Sequence, residues 1–132
     1  MMINPNTIFP GSIYQAVGGE ETFTRLIKNF YKGIESDALI RPMYPEDLTE
    51  SKRSMTLFVM QYFGGPRTYS DERGHPRLRM RHLPFSIGIA ERDAWMKHMK
   101  NAVVAESFAP PIETALLDYF ENTATFMINR KD

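Results

Sequence analysis

Cysteine is absent from this sequence. That absence excludes disulfides, thiolate metal sites, iron–sulfur clusters and a thiol nucleophile together. Any metal must then be held by histidine, carboxylate, tyrosine or methionine. Net charge is absent too, since sixteen Lys and Arg balance sixteen Asp and Glu. The whole molecule therefore offers no general attraction to nucleic acid or an anionic membrane, and neither is an expected partner. No run approaches the roughly 18 uninterrupted apolar residues of a membrane-spanning helix. Residues 1–11 lack the basic start and apolar run of a signal peptide, so a cytoplasmic location is expected. The sequence also has no Gly-rich phosphate loop before a helix, no His-Glu-x-x-His and no Gly-x-Ser-x-Gly elbow. The paired carboxylates Glu20-Glu21 and Glu46-Asp47 each suit a helix start or a turn.

What is present is a chain of 132 residues, 42% hydrophobic and 12% aromatic. That is enough for one core with a lined pocket and too little for two independent cores. Residues 1–11 suggest an extended tail, with the domain over 12–132. Gly11 to Val17 allows a short helix, ended by Gly18-Gly19. Phe23, Leu26, Ile27, Phe30, Tyr31 and Ile34 then form one wide stripe at helical spacing, with Glu20 and Glu21 suited to the N-terminal dipole. Asp37 to Arg41 could add a turn or two before Pro42 and Pro45. Thr49 offers an N-cap for a second stripe of Met55, Phe58, Val59 and Tyr62. Trp95, Met99, Ala102, Val103 and Glu106 define a third helix. Beyond Pro110-Pro111, a fourth carries Ile112, Leu116, Tyr119, Phe120, Thr123 and Met127. The class is all-α, with four substantial helices, one or two shorter ones and no convincing strand. Between them, Gly64 to Pro84 is rich in glycine, proline and arginine and has no long apolar period. An irregular segment of that length is uncommon in a small domain unless it carries function.

Three histidines could carry chemistry. His98, among Met96-Lys97-His98-Met99-Lys100, suits a helix surface. His75, between Gly74 and Pro76, suits a turn. His82 is better placed, closing Leu78-Arg79-Met80-Arg81-His82. If that piece is one helical turn, Leu78 and His82 share a face, while Arg77 and Arg81 lie together on another. An imidazole among apolar groups beside guanidinium groups suits haem, which needs one neutral imidazole on iron, an apolar slot and cations near its propionates. The same residues also suit a purely structural histidine. The arginines of 67–81 could equally form a solvated surface or a strip that binds phosphate or nucleic acid, making the domain a helical interaction module. Alternation of Arg77, Arg79 and Arg81 with Leu78, Met80 and His82 would even fit an edge strand.

The order of the motifs is more specific than any one of them. Tyr14-x-x-x-Gly18-Gly19 is followed by Phe30-Tyr31, Met43-Tyr44-Pro45-Glu46-Asp47, and Gln61-Tyr62-Phe63-Gly64-Gly65-Pro66. Then come Gly74-His75-Pro76-Arg77-Leu78-Arg79-Met80-Arg81-His82 and Glu91-Arg92-Asp93-Ala94-Trp95. From about Ser12 to Asn129 this series resembles the truncated haemoglobins, specifically the second group, the bacterial and plant type with a distal-pocket tryptophan.

The resemblance implies a two-over-two helical sandwich, with Glu20–Ile34 and Thr49–Phe63 packed against Glu91–Glu106 and Ile112–Asn129. It implies haem b with His82 as the proximal iron ligand. Tyr31, Tyr44 and Trp95 are the distal residues that stabilise a bound ligand, with Ser51 and Met55 on the following helix. Phe58, Tyr62, Met80 and Phe85 would line the haem together with Met55 and Trp95, and Arg77 and Arg81 would meet its propionates. The implied ligands are dioxygen, nitric oxide and carbon monoxide, with a reductase as a further partner and a homodimer allowed. With several donors and no distal histidine, dioxygen should leave slowly. That favours nitric oxide or peroxide redox chemistry, dioxygenase- or peroxidase-like, or ligand sensing, over oxygen transport.

Overall fold

The computed structural model describes residues 12–131, so the tail expected over residues 1–11 lies outside the described residues. Every regular element among them is helical: α1 (Ile13–Ala16), α2 (Glu20–Glu35), a 3₁₀ turn (Arg41–Met43), α3 (Thr49–Tyr62), α4 (Thr68–Arg73), α5 (Leu78–His82), α6 (Ile89–Ala105) and α7 (Pro110–Phe126). The four long helices lie where the apolar periodicity predicts them. Helix α2 packs on both α3 and α6, and α6 packs on α7. No described helix is long and apolar enough to cross a membrane.

The stripe of α2 explains this arrangement. Phe23, Leu26, Ile27, Phe30, Tyr31 and Ile34 are all buried, and they form one cluster with Val59 and Phe63 of the α3 region, Met99 and Val103 of α6, and Leu116 and Phe120 of α7. Burying a side chain of this size contributes about 1.5–3 kcal/mol, so α2 is the main apolar surface of the fold. The chain enters it through Gly19, whose φ of 70° is left-handed backbone that side-chain-bearing residues rarely adopt. Glu20 and Glu21 follow in the first turn of α2, where the helix dipole favours negative charge.

Three local readings of the sequence change. Thr49 does not cap α3 but is its first residue, and its N–H donates to Asp47 Oδ1 at 2.9 Å. Pro110 and Pro111 do not precede the last helix but begin it, since the first turn of a helix needs no N–H from these positions. The segment 64–84 is no single irregular loop, for it contains α4 and α5. Neither shows in the periodicity because six-residue and five-residue helices span too few turns to make a stripe. Tertiary contacts hold them instead. Arg53 of α3 pairs with Glu72 of α4 at 2.7 Å, and Gln61 Nε2 donates to Ser70 Oγ at 2.6 Å.

Candidate haem-binding site

Helix α5 has five residues and presents His82 at its last position. His82 Nδ1 lies 2.6 Å from the carbonyl oxygen of Leu78, one turn earlier. A carbonyl only accepts, so Nδ1 carries the hydrogen, and a neutral ring then leaves Nε2 with a bare lone pair. This backbone contact orients the ring as metal-bound histidines are commonly oriented. The segment is also tied to the end of α7. Arg79 donates to the carbonyls of Phe126 and, at 3.2 Å, Ile128, with its guanidinium 5.4 Å from the Phe126 ring centre. The Asn129 side chain donates to the carbonyls of His82 (3.3 Å) and Phe85 (2.8 Å) and accepts the Ile87 N–H at 2.9 Å.

His82 opens onto a cavity of about 370 Å³ with Phe30, Val59, Ile87, Phe120 and Met127 among its walls. A volume within the roughly 300–1,000 Å³ of small-molecule sites, mostly apolar walls and one bare imidazole nitrogen suit a flat apolar macrocycle with one axial ligand. Arg81 supplies a cation on the wall, and its Nη1 reaches the Tyr69 hydroxyl at 3.5 Å. The donor set and the cavity therefore fit haem.

The same cavity carries a group of polar aromatics. Tyr31 and Tyr44 meet edge to face with ring centres 5.8 Å apart, and Phe30 joins them to Trp95 at 5.1 Å. Burial pushes the Tyr31 phenol well above its usual range, the neighbouring Tyr44 adds to this, and a hydrogen bond from Ser51 opposes it. Tyr44 is pushed up to about 12 by burial, against a hydrogen bond with Trp95. Indole N–H can only donate, so the Tyr44 oxygen accepts it. Both phenols keep their protons at neutral pH.

Tyr31, Tyr44, Ser51, Met55, Phe58, Arg81, His82, Phe85 and Trp95 all line this cavity. Tyr62, Arg77 and Met80 do not. Tyr62 stacks on Tyr119 with ring centres 3.8 Å apart. Met80 is 54% exposed. Arg77 sits just before α5 in the left-handed region (φ 48°), its N–H donating to His75 Nδ1 at 3.0 Å. Arg77 lies just outside the helix, and it lines an adjoining pocket with His75 and Asn122 that shares Leu78, Tyr119, Thr123 and Met127 with the cavity. Sequence reasoning missed Tyr69, Ile87 and Tyr119 as walls of the cavity. Tyr119 was visible on the last stripe, whereas Tyr69 and Ile87 lie where no periodicity exists. His98 is not a surface residue either: its side chain is only 10% exposed, with Nε2 2.7 Å from Asp37 Oδ2.

An all-helical domain with an apolar cavity lined by one oriented histidine and a polar aromatic cluster has the make-up of a haem globin. Comparison with known proteins gives the family. Residues 12–129 match the model of the bacterial-like globins. A group 2 truncated haemoglobin of Bacillus subtilis is 41% identical over 119 residues, covering 90% of this chain and 89% of that protein. The crystal structure of haemoglobin from Chloroflexus aurantiacus is 49% identical with a TM-score of 0.90, covering 92% of this chain and 100% of that one. The group II truncated haemoglobin of Bacillus anthracis is 35% identical with a TM-score of 0.89, covering 93% and 100%. The chain belongs to the bacterial-like globin family and, within it, to the group II truncated haemoglobins.

Proposed function

We propose that the protein holds haem b on His82 and binds dioxygen at the face lined by Tyr31, Tyr44 and Trp95, releasing it slowly. The observation that carries this reading is the single imidazole with its Nδ1 committed to Leu78, lining a mostly apolar cavity that hydrogen-bond donors also line. When bound, haem supplies an iron with one open coordination position for a diatomic gas. The chain's own residues do the rest. His82 offers Nε2 as the ligand, and Arg81 offers a cation on the cavity wall for a propionate. Tyr31 offers its O–H, and Trp95 its N–H in exchange for the Tyr44 oxygen, to a partly anionic bound ligand, as donors aimed at developing charge do elsewhere. Apolar side chains exclude water from the slot.

Slow release makes a poor carrier, which favours redox use of the bound ligand. Nitric oxide would be oxidised by the bound dioxygen, peroxide would instead be reduced in the place of dioxygen, and a reductase would restore the ferrous state. The phosphate-binding alternative finds less support, because Arg73 pairs with Glu50 at 3.0 Å, Arg79 is committed to α7 carbonyls and Arg81 faces the cavity. Absorption spectra with haem added, with and without reductant and oxygen, test the proposal. An intense band near the blue edge of the visible that responds to both is expected. A spectrum showing only free haem would overturn it.

A further inference from the structure

We propose that His98 and Asp37 are positioning residues that fix the spacing between Trp95 and Tyr44, two polar aromatics that line the cavity. The inference rests on the oxygen-binding reading above. Trp95 and His98 lie one turn apart on α6. Tyr44 belongs to the segment between α2 and α3, whose first turn is organised by Asp37. The two elements come together twice: Trp95 and Tyr44 line the same cavity, and His98 and Asp37 pair outside it.

The outer contact is built rather than incidental. The His98 side chain is 10% exposed and that of Asp37 18%, with Nε2 and Oδ2 2.7 Å apart. The carboxylate accepts, so Nε2 carries a hydrogen. The ring reaches Asp37 by crossing α2 at Gly33, where a Cβ would stand 2.3 Å from His98 Nδ1. No side-chain-bearing residue fits at Gly33 with His98 in that place. Asp37 uses its other oxygen as well. Oδ1 accepts the Leu39 N–H at 3.0 Å, and its backbone carbonyl accepts the Arg41 N–H at 2.8 Å. Arg41 then closes the segment on itself, donating to the carbonyls of Tyr44 (3.3 Å), Pro45 (3.0 Å) and Glu46 (2.9 Å). From Asp37 to Glu46 the segment therefore moves as one hydrogen-bonded piece. Its side-chain hydrogen bond to α6 outside the cavity is the one between Asp37 and His98. Cutting it lets Tyr44 shift against Trp95 while both remain in the cavity.

The test uses the haem-loaded protein and three variants. His98→Phe keeps a ring over Gly33 and removes the N–H. His98→Gln offers an amide N–H to the same carboxylate. Asp37→Ala removes the acceptor. His98→Phe and Asp37→Ala should each raise the oxygen off-rate roughly three- to tenfold, with carbon monoxide release within about twofold of the parent. The double variant should show no further increase, because both changes cut one contact. His98→Gln should stay near the parent. A readout independent of ligand release is the indole N–H resonance of Trp95, the one tryptophan in the chain. It should shift in His98→Phe and Asp37→Ala and return in His98→Gln. Equal acceleration of both ligands would mark loose packing and overturn the proposal. So would unchanged oxygen release in His98→Phe and Asp37→Ala while Trp95→Phe still accelerates it. Should Trp95→Phe also leave oxygen release unchanged, it is the oxygen-binding reading of the distal face that fails. If His98→Phe does not fold, His98→Gln and Asp37→Ala decide the matter between them.

Discussion

The Nδ1 of His82 and the carbonyl oxygen of Leu78 stand 2.6 Å apart, so α5 orients the ring of its own last residue. The hydrogen bond is made within the helix and needs no second side chain to select the tautomer. His82→Ala should abolish stable haem retention, and added imidazole should restore a haem spectrum. His75→Ala and His98→Ala should keep haem. Retention of an unchanged spectrum by His82→Ala would refute the assignment.

The distal donors can be separated from packing by their effect on two gases. A hydrogen bond to a charged acceptor contributes on the order of 1.5–3 kcal/mol, so losing one donor should raise the oxygen off-rate roughly ten- to a hundredfold. Tyr31→Phe removes a hydroxyl with almost no change of volume. Trp95→Phe removes the indole N–H and leaves a modest void. Carbon monoxide acquires less charge and should respond little. The check is both off-rates measured side by side, and oxygen release within about twofold of the parent in both variants would argue that no polar distal contact exists.

Arg77 and Arg81 should behave differently, although the motif pairs them. Arg81 lines the cavity, whereas Arg77 is carried away by its left-handed backbone. Arg81→Glu should speed transfer of haem to an acceptor apoprotein, and Arg77→Glu should match a surface control such as Arg130→Glu. An exposed pair is worth only about 0–1 kcal/mol, so charge reversal is a better test than truncation. Equal haem loss from the Arg77 and Arg81 variants would contradict the placement.

Asn129 holds three backbone groups of the stretch from His82 to Ile87. Asn129→Ala leaves those groups without their partner and should cost about 1–3 kcal/mol of stability. Haem loss should accelerate with it, because the same loop carries the iron ligand. Thermal melting of the holoprotein and haem-transfer rates check both effects. A variant as stable as the parent would show that water replaces the amide at no cost.

Alkaline pH should destabilise the protein through its buried phenols. Burial raises Tyr44 from 10.0 to about 12, and Tyr31 and Tyr119 shift in the same direction for the same reason. The unfolded chain therefore loses these protons first. The stability this gives the fold is complete below pH 10 and declines as pH rises through about 12. Denaturant midpoints across that range should fall, and Tyr44→Phe should fall less steeply. Parallel curves would argue against a buried, protonated Tyr44.

The parts of the fold legible in the sequence are those with period. The stripes on α2, α3, α6 and α7 each bury one face, and a buried face must recur at helical spacing. Helices α4 and α5 could not be read this way. They are held by Arg53 and Glu72, by Gln61 and Ser70, and by Arg79 on the carbonyls at the end of α7, all pairings across the chain that leave no local pattern. The burial of His98 was hidden for a related reason. Its neighbours Lys97 and Lys100 suggest solvent, and the room for its ring comes from Gly33 on another helix. At Arg77 a left-handed φ at a non-glycine residue interrupts the helical spacing that sequence alone suggests between it and Arg81.

The dependence of α5 on the far end of the chain also sets an order of assembly. Five residues cannot nucleate a helix alone, since the first turn fixes several residues for a single hydrogen bond. The clasp on α5 is supplied by the carbonyls of Phe126 and Ile128 and the side chain of Asn129. A chain still emerging from the ribosome thus has its distal aromatics long before it has an oriented His82. Cofactor capture then waits until α7 is complete, and a nascent chain stalled short of residue 129 should fail to acquire haem.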